Sequence, residues 1–448
     1  MTVPVAPGSA VPSSHPEAIR GTAVGSYFVS NYPPYSFWKA ERVDEALSAL
    51  DRAPRPTTPL GLYLHIPFCR TRCKFCYFRV YTEKNAREVE DYLDALAREV
   101  ELLAERAAVR GRSLDFVYFG GGTPSYLSTA QLAALEARLK AALSWTRVRE
   151  VTFECEPGTI TRKKLEAVRA LGTTRLSFGV ESFDDRVLEL NGRAHRSAEI
   201  VRAWREARDV GFPAVNLDLI AGMVGETDET WRAGVSKTIE LGPESVTIYQ
   251  MELPYNTLFS KEILQGAQSP VASWETKRAW TAEAFEALER AGYRVSSGYT
   301  LVRADRPASF LYRDQLWRGA DLLGAGVASF SHVGGVHFQN LDRFEEYITS
   351  TRTGTLPIQR AYALRSGERL IREMILQLKL GRIDAAYFRD KFGVEILVEF
   401  AAAFGAHEAS GLLRREGDTV VLTRAGLLQV DGLLPAFFLP EHRGARAT

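Results

Sequence analysis

Short apolar runs alternate six times with amphipathic stretches between Leu60 and Gln250, and this alternation constrains the fold more than any other feature of the chain. Each run reads as a buried strand, and each stretch between runs keeps apolar residues at helical spacing. Strands joined by helices through short connections lie parallel, with the helices on the outside. The sequence therefore predicts an α/β protein whose centre is a partial (β/α)6 barrel of the TIM type.

The remaining chain divides around this barrel, which we place at residues 59–305. Residues 1–25 are rich in proline and small residues and are predicted to be a disordered tail. Residues 26–58 carry aromatic side chains that should pack back as an N-terminal arm, either over a binding site or over core alone. We interpret residues 306–364 as an extension and linker. Residues 365–448 are mostly helical in pattern and resemble a winged-helix domain; without a concentrated basic face, a lid or docking role is favoured over DNA binding.

Charge and composition exclude several classes of partner. The 448 residues carry 56 basic and 55 acidic side chains, a net charge of +1, so no overall field attracts the chain to nucleic acid or to an anionic membrane. No apolar run approaches the roughly 20 residues of a membrane span. Four cysteines, three of them clustered, argue against a disulfide scaffold and for a reducing compartment. We expect a cytoplasmic protein with no nucleic-acid or membrane partner.

Three of those cysteines, Cys69, Cys73 and Cys76, occupy a loop directly after the first predicted strand. Thiolates are soft ligands for iron-sulfur clusters and for zinc. Three thiolates can hold three irons of a [4Fe-4S] cluster and leave the fourth iron free to bind a substrate. The alternative is a zinc knuckle with His65 or Cys155 as fourth ligand, but structural zinc ligands usually come as two pairs. The spacing therefore favours the cluster.

Polar or flexible residues follow the next strands at the same edge of the predicted barrel. The glycines at 120–122 end the second strand, and Glu154, Glu181 and Asp218 lie at the ends of the third, fourth and fifth. In such barrels the chemistry lies at the carboxyl ends of the strands, so these residues should converge with the cysteine loop. Each has a structural alternative, because glycines also make tight turns and carboxylates also cap helices or form ion pairs.

Two further sets of residues are weaker candidates. Arg193 could bind a carboxylate through both arms of its guanidinium, although such an arginine is often only solvated. Three histidines are possible bases, yet each could equally be an ordinary core or surface histidine: His195, His332 and His337. The sequence does not identify a catalytic residue.

The spacing Cys-x3-Cys-x2-Cys, with Phe75 just before the last cysteine, resembles the signature of the radical S-adenosylmethionine (SAM) superfamily. In that superfamily the free iron chelates the amino and carboxylate groups of SAM, and an electron passed to the sulfonium releases a 5'-deoxyadenosyl radical. The resemblance implies that Phe75 packs on the adenine of SAM. It also implies a reductant such as flavodoxin or ferredoxin as partner.

Longer motifs narrow the resemblance to the family of oxygen-independent coproporphyrinogen III oxidases, over most of the chain from about Tyr27 onward. The motifs are residues 63–69, 120–125, 179–180, 216–220 and 322–326. By this resemblance the SAM-binding positions are Tyr63, Gly121, Gly122, Thr123, Glu154, Glu181, Arg193 and Asp218.

The family has three branches, which differ from one another at a few positions. The oxidase has a further cysteine where this chain has Phe78, and a glutamine where this chain has Glu181. Heme chaperones lack a long N-terminal extension, whereas about 60 residues precede the cysteine motif here. The residues that follow Cys76 look more like class C radical SAM methyltransferases and related cyclopropanases of natural-product pathways. The resemblance therefore favours the class C branch.

Membership of that branch implies a specific reaction. Two SAM molecules bind, and the radical from the first takes hydrogen from the methyl group of the second. The resulting carbon radical adds to an sp2 carbon of a small molecule, which we expect to be a planar unsaturated or heteroaromatic compound. Tyr249, Gln250 and Met251, at the end of the sixth strand, are candidates to contact the second SAM or this substrate. The alternatives are an oxygen-independent coproporphyrinogen III oxidase, which releases carbon dioxide from propionate groups, and a heme chaperone.

Overall fold

One sheet of twelve strands runs through the computed structural model, which describes residues 28–254, 256–265, 271–306, 308 and 310–444. The tail predicted at residues 1–25 lies outside the described residues. Within the described ranges, no helix is long and apolar enough to cross a membrane.

The six predicted strand-helix units are present, and they follow a short helix α1 (Val43–Leu50). Neighbouring strands pair in parallel along the whole series. The strands are β1 (Leu60–Ile66), β2 (Phe116–Gly121), β3 (Glu150–Cys155), β4 (Arg175–Glu181), β5 (Ala214–Ala221) and β6 (Ser245–Gln250). The helices after them are α2 (Ala86–Ala104), α3 (Thr129–Ala142), α4 (Arg162–Ala170), α5 (Asp185–Leu190), α6 (Ser197–Val210), α7 (Asp228–Leu241), α8 (Leu258–Leu264) and α9 (Trp274–Arg290). The α/β class and the partial barrel are therefore confirmed.

Local capping sets the limits of several of these helices. Asn85 and Glu88 form a reciprocal capping box at the start of α2, and Ser128 and Gln131 form one at the start of α3. Each box satisfies two backbone N–H groups that lack a partner within the helix. Helix α6 ends at Gly211, which adopts the left-handed conformation at φ +80°. These signals were visible in the sequence, and the helices begin where the boxes predict.

The chain beyond α9 extends the sheet at both edges. Next to β6 come β8 (Thr300–Arg303) and β7 (Tyr293–Val295), both antiparallel. Helix α10 (Leu311–Leu316) leads to β9 (Asp321–Ala325), which pairs in parallel with β1. Antiparallel strands then complete the other edge. They are β10 (Phe330–Val333), β11 (Val336–Asn340) and β12 (Ile358–Ala363), with α11 (Phe344–Arg352) between the last two.

The apolar pattern of residues 293–299 predicts one strand, but only Tyr293–Val295 form a strand there (β7), and β8 begins at Thr300. The chain turns between β7 and β8, where the Ser297 hydroxyl accepts hydrogen bonds from the backbone N–H groups of Tyr299 and Thr300. A serine that bonds the backbone two and three residues ahead stabilises a turn in place of an extended chain.

The C-terminal region is helical around a small antiparallel sheet, in the order β13, β15, β14. Its elements are α12 (Ser366–Leu378), β13 (Arg382–Asp384), α13 (Ala385–Phe392), α14 (Ile396–Glu399), α15 (Ala401–Ala409), β14 (Leu413–Glu416), β15 (Thr419–Leu422), α16 (Arg424–Leu427) and α17 (Val430–Leu433). The last helix, expected to be continuous over residues 425–434, breaks at Gln429 (φ −130°, ψ 28°). The break leaves the carbonyl of Leu428 available as an acceptor, and it accepts a hydrogen bond of 2.8 Å from the Gln250 side chain.

The aromatic arm packs back on the chain as the sequence predicts. Tyr32 and Trp38 are almost fully buried. The Trp38 ring stacks on His337 at 4.9 Å, and the Tyr32 hydroxyl lies 2.8 Å from Nδ1 of His442. The arm therefore lies between the extended sheet and the C-terminal end of the chain.

Candidate active site

A cavity of about 630 Å³ opens at the carboxyl ends of the parallel strands. Its wall contains residues from every one of the first six strand ends, in agreement with the expectation for a barrel of this kind. The site residues predicted from the sequence that line it are Cys69, Cys73, Phe75, Cys76, Gly121, Gly122, Thr123, Glu154, Glu181, Arg193, Asp218, Tyr249, Gln250 and Met251.

The cysteine loop is anchored at both ends to neighbouring elements. The backbone N–H of Cys69 donates to the carbonyl of Tyr81 at 3.1 Å, and the N–H of Tyr81 donates to Pro67 at 2.7 Å, so the two limbs of the loop are tied together. At its tip the N–H of Lys74 donates to the carbonyl of Asn191, at the end of α5. These bonds hold the loop across the mouth of the barrel.

Two side chains donate hydrogen bonds to the sulfur atoms. The hydroxyl of Thr123 lies 3.3 Å from Sγ of Cys69, and Nη1 of Arg193 lies 3.2 Å from Sγ of Cys73. Burial raises the pKa of Cys69 to about 11 and that of Cys76 to about 12. Thiols with these pKa values stay protonated near neutral pH unless a bound metal favours the thiolate. The loop thus offers soft ligands with polar support, as an iron-sulfur cluster requires.

The zinc alternative has less structural support. Among the described residues, no group of three or more His, Cys, Asp or Glu side chains converges closely enough to hold a single metal ion. The ring of His65 is engaged elsewhere, with Nδ1 at 3.2 Å from the Tyr63 hydroxyl and Nε2 at 3.5 Å from the Arg79 carbonyl. A cluster of four irons spans a wider set of ligands than one tetrahedral ion, so the arrangement fits the cluster better.

The glycines at the end of β2 allow two pieces of backbone to meet. Gly121 has φ +112°, and a Cβ atom there would stand 2.5 Å from Nδ1 of His65. A Cβ atom on Gly122 would stand 2.9 Å from the Ile66 carbonyl oxygen and 3.1 Å from Sγ of Cys69. Only glycine permits this approach of β2 to the cysteine loop.

Two half-buried carboxylates, Glu154 and Asp218, face the cavity from β3 and β5. Glu154 accepts hydrogen bonds from the Tyr118 hydroxyl (2.6 Å) and from the N–H of Gly121 (3.2 Å). Asp218 accepts from Ser177 (3.0 Å) and Asn216 (2.9 Å). Burial raises the pKa of both groups, that of Glu154 to about 7. Each carboxylate keeps acceptor capacity that could serve ligand hydroxyl or amino groups.

Glu181 and Arg193 form a third polar feature at the end of β4. Glu181 has a positive φ of 65°, which is uncommon for a residue other than glycine, and lies 3.6 Å from the Arg193 guanidinium. Burial raises the pKa of Glu181 to about 7 despite this neighbour. Arg193 also donates to the Gly179 carbonyl, yet its Nε has no hydrogen-bond partner among the described residues, and neither has Nε of Arg72. Buried donors without partners at a cavity wall suit an anionic group such as a carboxylate.

Some predicted residues lie outside the cavity wall. Tyr63 is inside the barrel, where its ring stacks on Tyr118 at 5.8 Å, and it reaches the cavity only through the bond of Tyr118 to Glu154. His195 is buried 2.8 Å from Glu156 and does not line the cavity. His332 and His337 are also absent from its wall.

Part of the wall comes from the arm and from the C-terminal region, in which the sequence analysis singled out no site residue. The stretch from Leu427 to Leu433 covers one side, and Phe28 of the arm contributes as well. The N–H of Phe28 donates to Glu252 at 2.8 Å, and burial raises the pKa of Glu252 to about 8. The aromatic composition of the arm was a usable signal for Phe28. The C-terminal stretch reads only as a helix, so nothing local marked it.

Comparison with known proteins identifies the family. Residues 63–234 match the model of the radical SAM superfamily. The chain is 31% identical to the heme chaperone HemW of Mycobacterium tuberculosis over 392 residues, which cover 85% of this chain and 95% of that protein. This chain belongs to the radical SAM superfamily. As a radical SAM protein it uses a [4Fe-4S] cluster and SAM.

Other relatives of this radical SAM protein are coproporphyrinogen oxidases. It is 26% identical to the oxygen-independent coproporphyrinogen III oxidase of Synechocystis over 432 residues, 91% of each chain. The structure of the Escherichia coli coproporphyrinogen III oxidase, described as a radical SAM enzyme, superposes with a TM-score of 0.80 at 25% identity, covering 92% of this chain and 96% of that one. The resemblance to the oxidase family is confirmed. The narrower prediction, the class C methyltransferase or cyclopropanase branch, is not supported by these relatives.

Proposed function

We propose that this protein is an oxidase of the coproporphyrinogen III type, which removes a hydrogen atom and carbon dioxide from propionate groups of a reduced tetrapyrrole. The observation that carries the proposal is the meeting of three cysteines and three half-buried carboxylates in one cavity, in a chain similar to the oxidases over 91% of its length. The similarity extends beyond the barrel to the arm and the C-terminal region, which both line the cavity.

The residues of the inner cavity divide into ligands and binding groups. Cys69, Cys73 and Cys76 would hold the cluster. When bound, the cluster and SAM supply a 5'-deoxyadenosyl radical. The SAM-binding groups in this proposal are Phe75, Gly121, Gly122, Thr123, Glu154, Glu181, Arg193 and Asp218, with Tyr63 acting from behind Tyr118. Arg193 and Arg72 have free donors for the carboxylate of SAM, and the carboxylates accept from its amino and hydroxyl groups.

The outer cavity suits a large ligand with pyrrole rings. Tyr77 and Phe78 are stacked at 4.5 Å and remain 40% and 46% exposed, so their faces are available to another ring. Tyr249, Tyr299 and Leu428 add further apolar surface. Phe78 occupies the position where the oxidases have another cysteine, and here it would supply stacking instead.

The net change on each propionate is conversion to a vinyl group. One hydrogen atom passes to the adenosyl radical and gives 5'-deoxyadenosine. The substrate radical then loses carbon dioxide and one electron, and an external one-electron acceptor takes that electron. A reductant of the flavodoxin or ferredoxin class supplies the electron that cleaves SAM.

An anaerobic assay with coproporphyrinogen III, SAM and reductant tests the proposal. We expect 5'-deoxyadenosine, carbon dioxide and vinyl product in matching amounts. Formation of S-adenosylhomocysteine together with 5'-deoxyadenosine would instead indicate transfer of a methyl-derived carbon, and SAM carrying deuterated methyl groups would then label the deoxyadenosine. Stoichiometric heme binding with little cleavage of SAM would indicate a chaperone. Either of these results would refute the oxidase proposal.

A further inference from the structure

A second cavity, of about 290 Å³, lies at the opposite end of the barrel from the cysteine loop. Its wall includes Pro59, which directly precedes β1, and Gly319, which closely precedes β9. Both strands run away from this cavity towards the first one. Five basic residues line it: Arg55, Arg318, Arg369, Arg372 and Lys391.

Carboxylates neutralise only part of this positive charge. Arg55 forms an ion pair with Asp321, and Lys391 forms one with Glu373 at 2.7 Å. The other three arginines make no ion pair within the described part of the chain and donate instead to uncharged oxygen atoms. Arg318 donates to the Asp314 carbonyl (3.3 Å) and Arg369 to the Gly334 carbonyl (2.9 Å), whereas Arg372 donates to the Leu316 carbonyl (3.3 Å) and to Oδ1 of Asn31 (2.9 Å). The cavity therefore holds an excess of positive charge next to apolar core.

His332 supplies an independent sign of a ligand. Its ring is part of the cavity wall and only 8% exposed. Nδ1 lies 3.3 Å from the Ala320 carbonyl, and because a carbonyl only accepts, Nδ1 carries the proton. Nε2 has no partner among the described residues. A buried nitrogen acceptor normally has a hydrogen-bond donor, and here that donor would come from a bound ligand.

Two glycines keep space for the charged groups. Gly335 has φ +81°, and a Cβ atom there would stand 1.8 Å from Nη2 of Arg369. Gly319 has φ +83°, and a Cβ atom there would stand 2.2 Å from Oε1 of Glu373. Any larger residue would displace the side chains that define the cavity.

The environment of Arg369 and Arg372 disfavours their charged forms. Burial lowers the pKa of Arg372 to about 10. Burial, together with the nearby charge of Arg55, also lowers the pKa of Arg369. An anion among these groups would relieve both effects.

We propose that this cavity binds a phosphate group, either hydrogen phosphate or the phosphate of a small ester. The planar forks of Arg318, Arg369 and Arg372 match the oxygens of a tetrahedral dianion. Hydrogen phosphate and the singly protonated form of a small ester each keep one proton, which that oxygen donates to the lone pair on Nε2 of His332. This complementarity favours phosphate over sulfate, which has the same shape but carries no proton near neutral pH.

Calorimetric titration of the full-length, cluster-containing protein under anaerobic conditions tests the site. The probes are inorganic phosphate, glycerol phosphate and sulfate, each at constant ionic strength. We expect saturable binding of one phosphate or glycerol phosphate per chain, at least threefold tighter than sulfate. Tighter binding of glycerol phosphate than of inorganic phosphate would identify an ester as the ligand, and the reverse order would identify the free ion.

Matched variants distinguish a specific phosphate site from general electrostatic attraction to basic residues. The double variant Arg318→Gln/Arg369→Gln should weaken phosphate binding at least tenfold. The control Arg294→Gln/Arg382→Gln removes the same charge from exposed positions outside the cavity and should leave binding unchanged. Circular dichroism of each variant without ligand verifies folding. The absence of saturable binding, equal binding of sulfate, or equal loss in both variants would overturn the proposal.

Discussion

At the scale of single residues, the four cysteines offer a clear comparison. Cys76 lies in the loop that faces the main cavity, whereas Cys155 lies outside that loop, at the end of β3. Cys155 is buried in the same cavity wall, and burial strongly raises its pKa. We predict that Cys76→Ala lowers bound iron by at least half after anaerobic reconstitution and abolishes cleavage of SAM. Iron and sulfide analysis measures this. Cys155→Ser should retain iron, and equal loss in both variants would contradict the assignment of the ligands.

Arg193 is the residue that connects the cysteine loop with the carboxylates. It donates to Sγ of Cys73 and to the Gly179 carbonyl and lies beside Glu181. Removing a charge-assisted hydrogen bond costs about 1.5–3 kcal/mol, so Arg193→Gln should raise the KM for SAM by roughly tenfold or more. Steady-state formation of 5'-deoxyadenosine measures the effect. Arg186→Gln, outside the cavity wall, serves as control; a wild-type KM in Arg193→Gln would contradict a role in binding.

The half-buried carboxylates predict a pH dependence of stability in the protein without SAM. Burial raises the pKa of Glu154 and Glu181 from 4.5 to about 7, so the folded protein retains protons that the unfolded chain has released. Their contribution to the free energy of unfolding therefore falls as pH rises from about 4.5 to about 7 and is constant above that. Urea unfolding at several pH values should show a smaller fall for Glu154→Gln/Glu181→Gln than for the wild type. The exposed pair Glu83→Gln/Glu90→Gln should leave the pH profile unchanged.

At the scale of secondary structure, the capping boxes allow a quantitative prediction. Asn85 accepts a hydrogen bond from the N–H of Glu88 at the start of α2. Asn85→Ala should lower the free energy of unfolding by about 1 kcal/mol, measured by urea denaturation. Glu90→Ala, on an exposed position of the same helix, should change it by less than about 0.5 kcal/mol. Equal effects would show that the cap does not limit the helix.

The break at Gln429 shows where local patterns stop being sufficient. The apolar spacing of residues 425–434 is helical, but a tertiary bond from Gln250 captures the carbonyl of Leu428. The interruption turns the following residues towards the main cavity. The side chain of Gln250, distant in sequence, thus bonds at the break in a C-terminal helix that forms part of the cavity wall.

At the scale of the whole molecule, one buried ion pair joins the arm, the sheet and the C-terminal region. Lys379 lies 2.8 Å from Asp431 and donates to the Val29 carbonyl, and Asp431 also accepts from the N–H of Val29 and the Tyr299 hydroxyl. Removing only the acid would leave a buried ammonium group without its partner. Asp431→Ala should therefore cost about 3–5 kcal/mol of unfolding free energy.

The double variant Lys379→Met/Asp431→Ala is the control for this ion pair. It removes both charges, so it should lose less stability than Asp431→Ala alone, as urea denaturation would show. A double variant that is less stable than the single one would mean that the hydrogen bonds to Val29 and Tyr299, and not the uncompensated charge, dominate.

Local features of the sequence account for the helices, the strands and the inner half of the main cavity. Helical and strand periodicity, capping boxes and cysteine spacing are local patterns, and the parallel barrel then brings the carboxyl ends of its strands to one edge. Cys69, Gly121, Glu154 and Asp218 therefore meet as the order of the strands requires. Tyr63, predicted to contact SAM, does not line the cavity and stacks on Tyr118, so its role in SAM binding stays a prediction.

The other contacts depend on how distant parts of the chain pack together. The outer wall joins Phe28 to the stretch after Leu427, nearly the whole chain apart, and the basic cavity joins Arg55 to Lys391. Contacts between residues so distant in sequence are not visible in local periodicity. Each residue fits the pattern of its own helix, strand or loop whether or not its partner is near. Their contacts form only when the complete sheet holds the arm and the C-terminal region together.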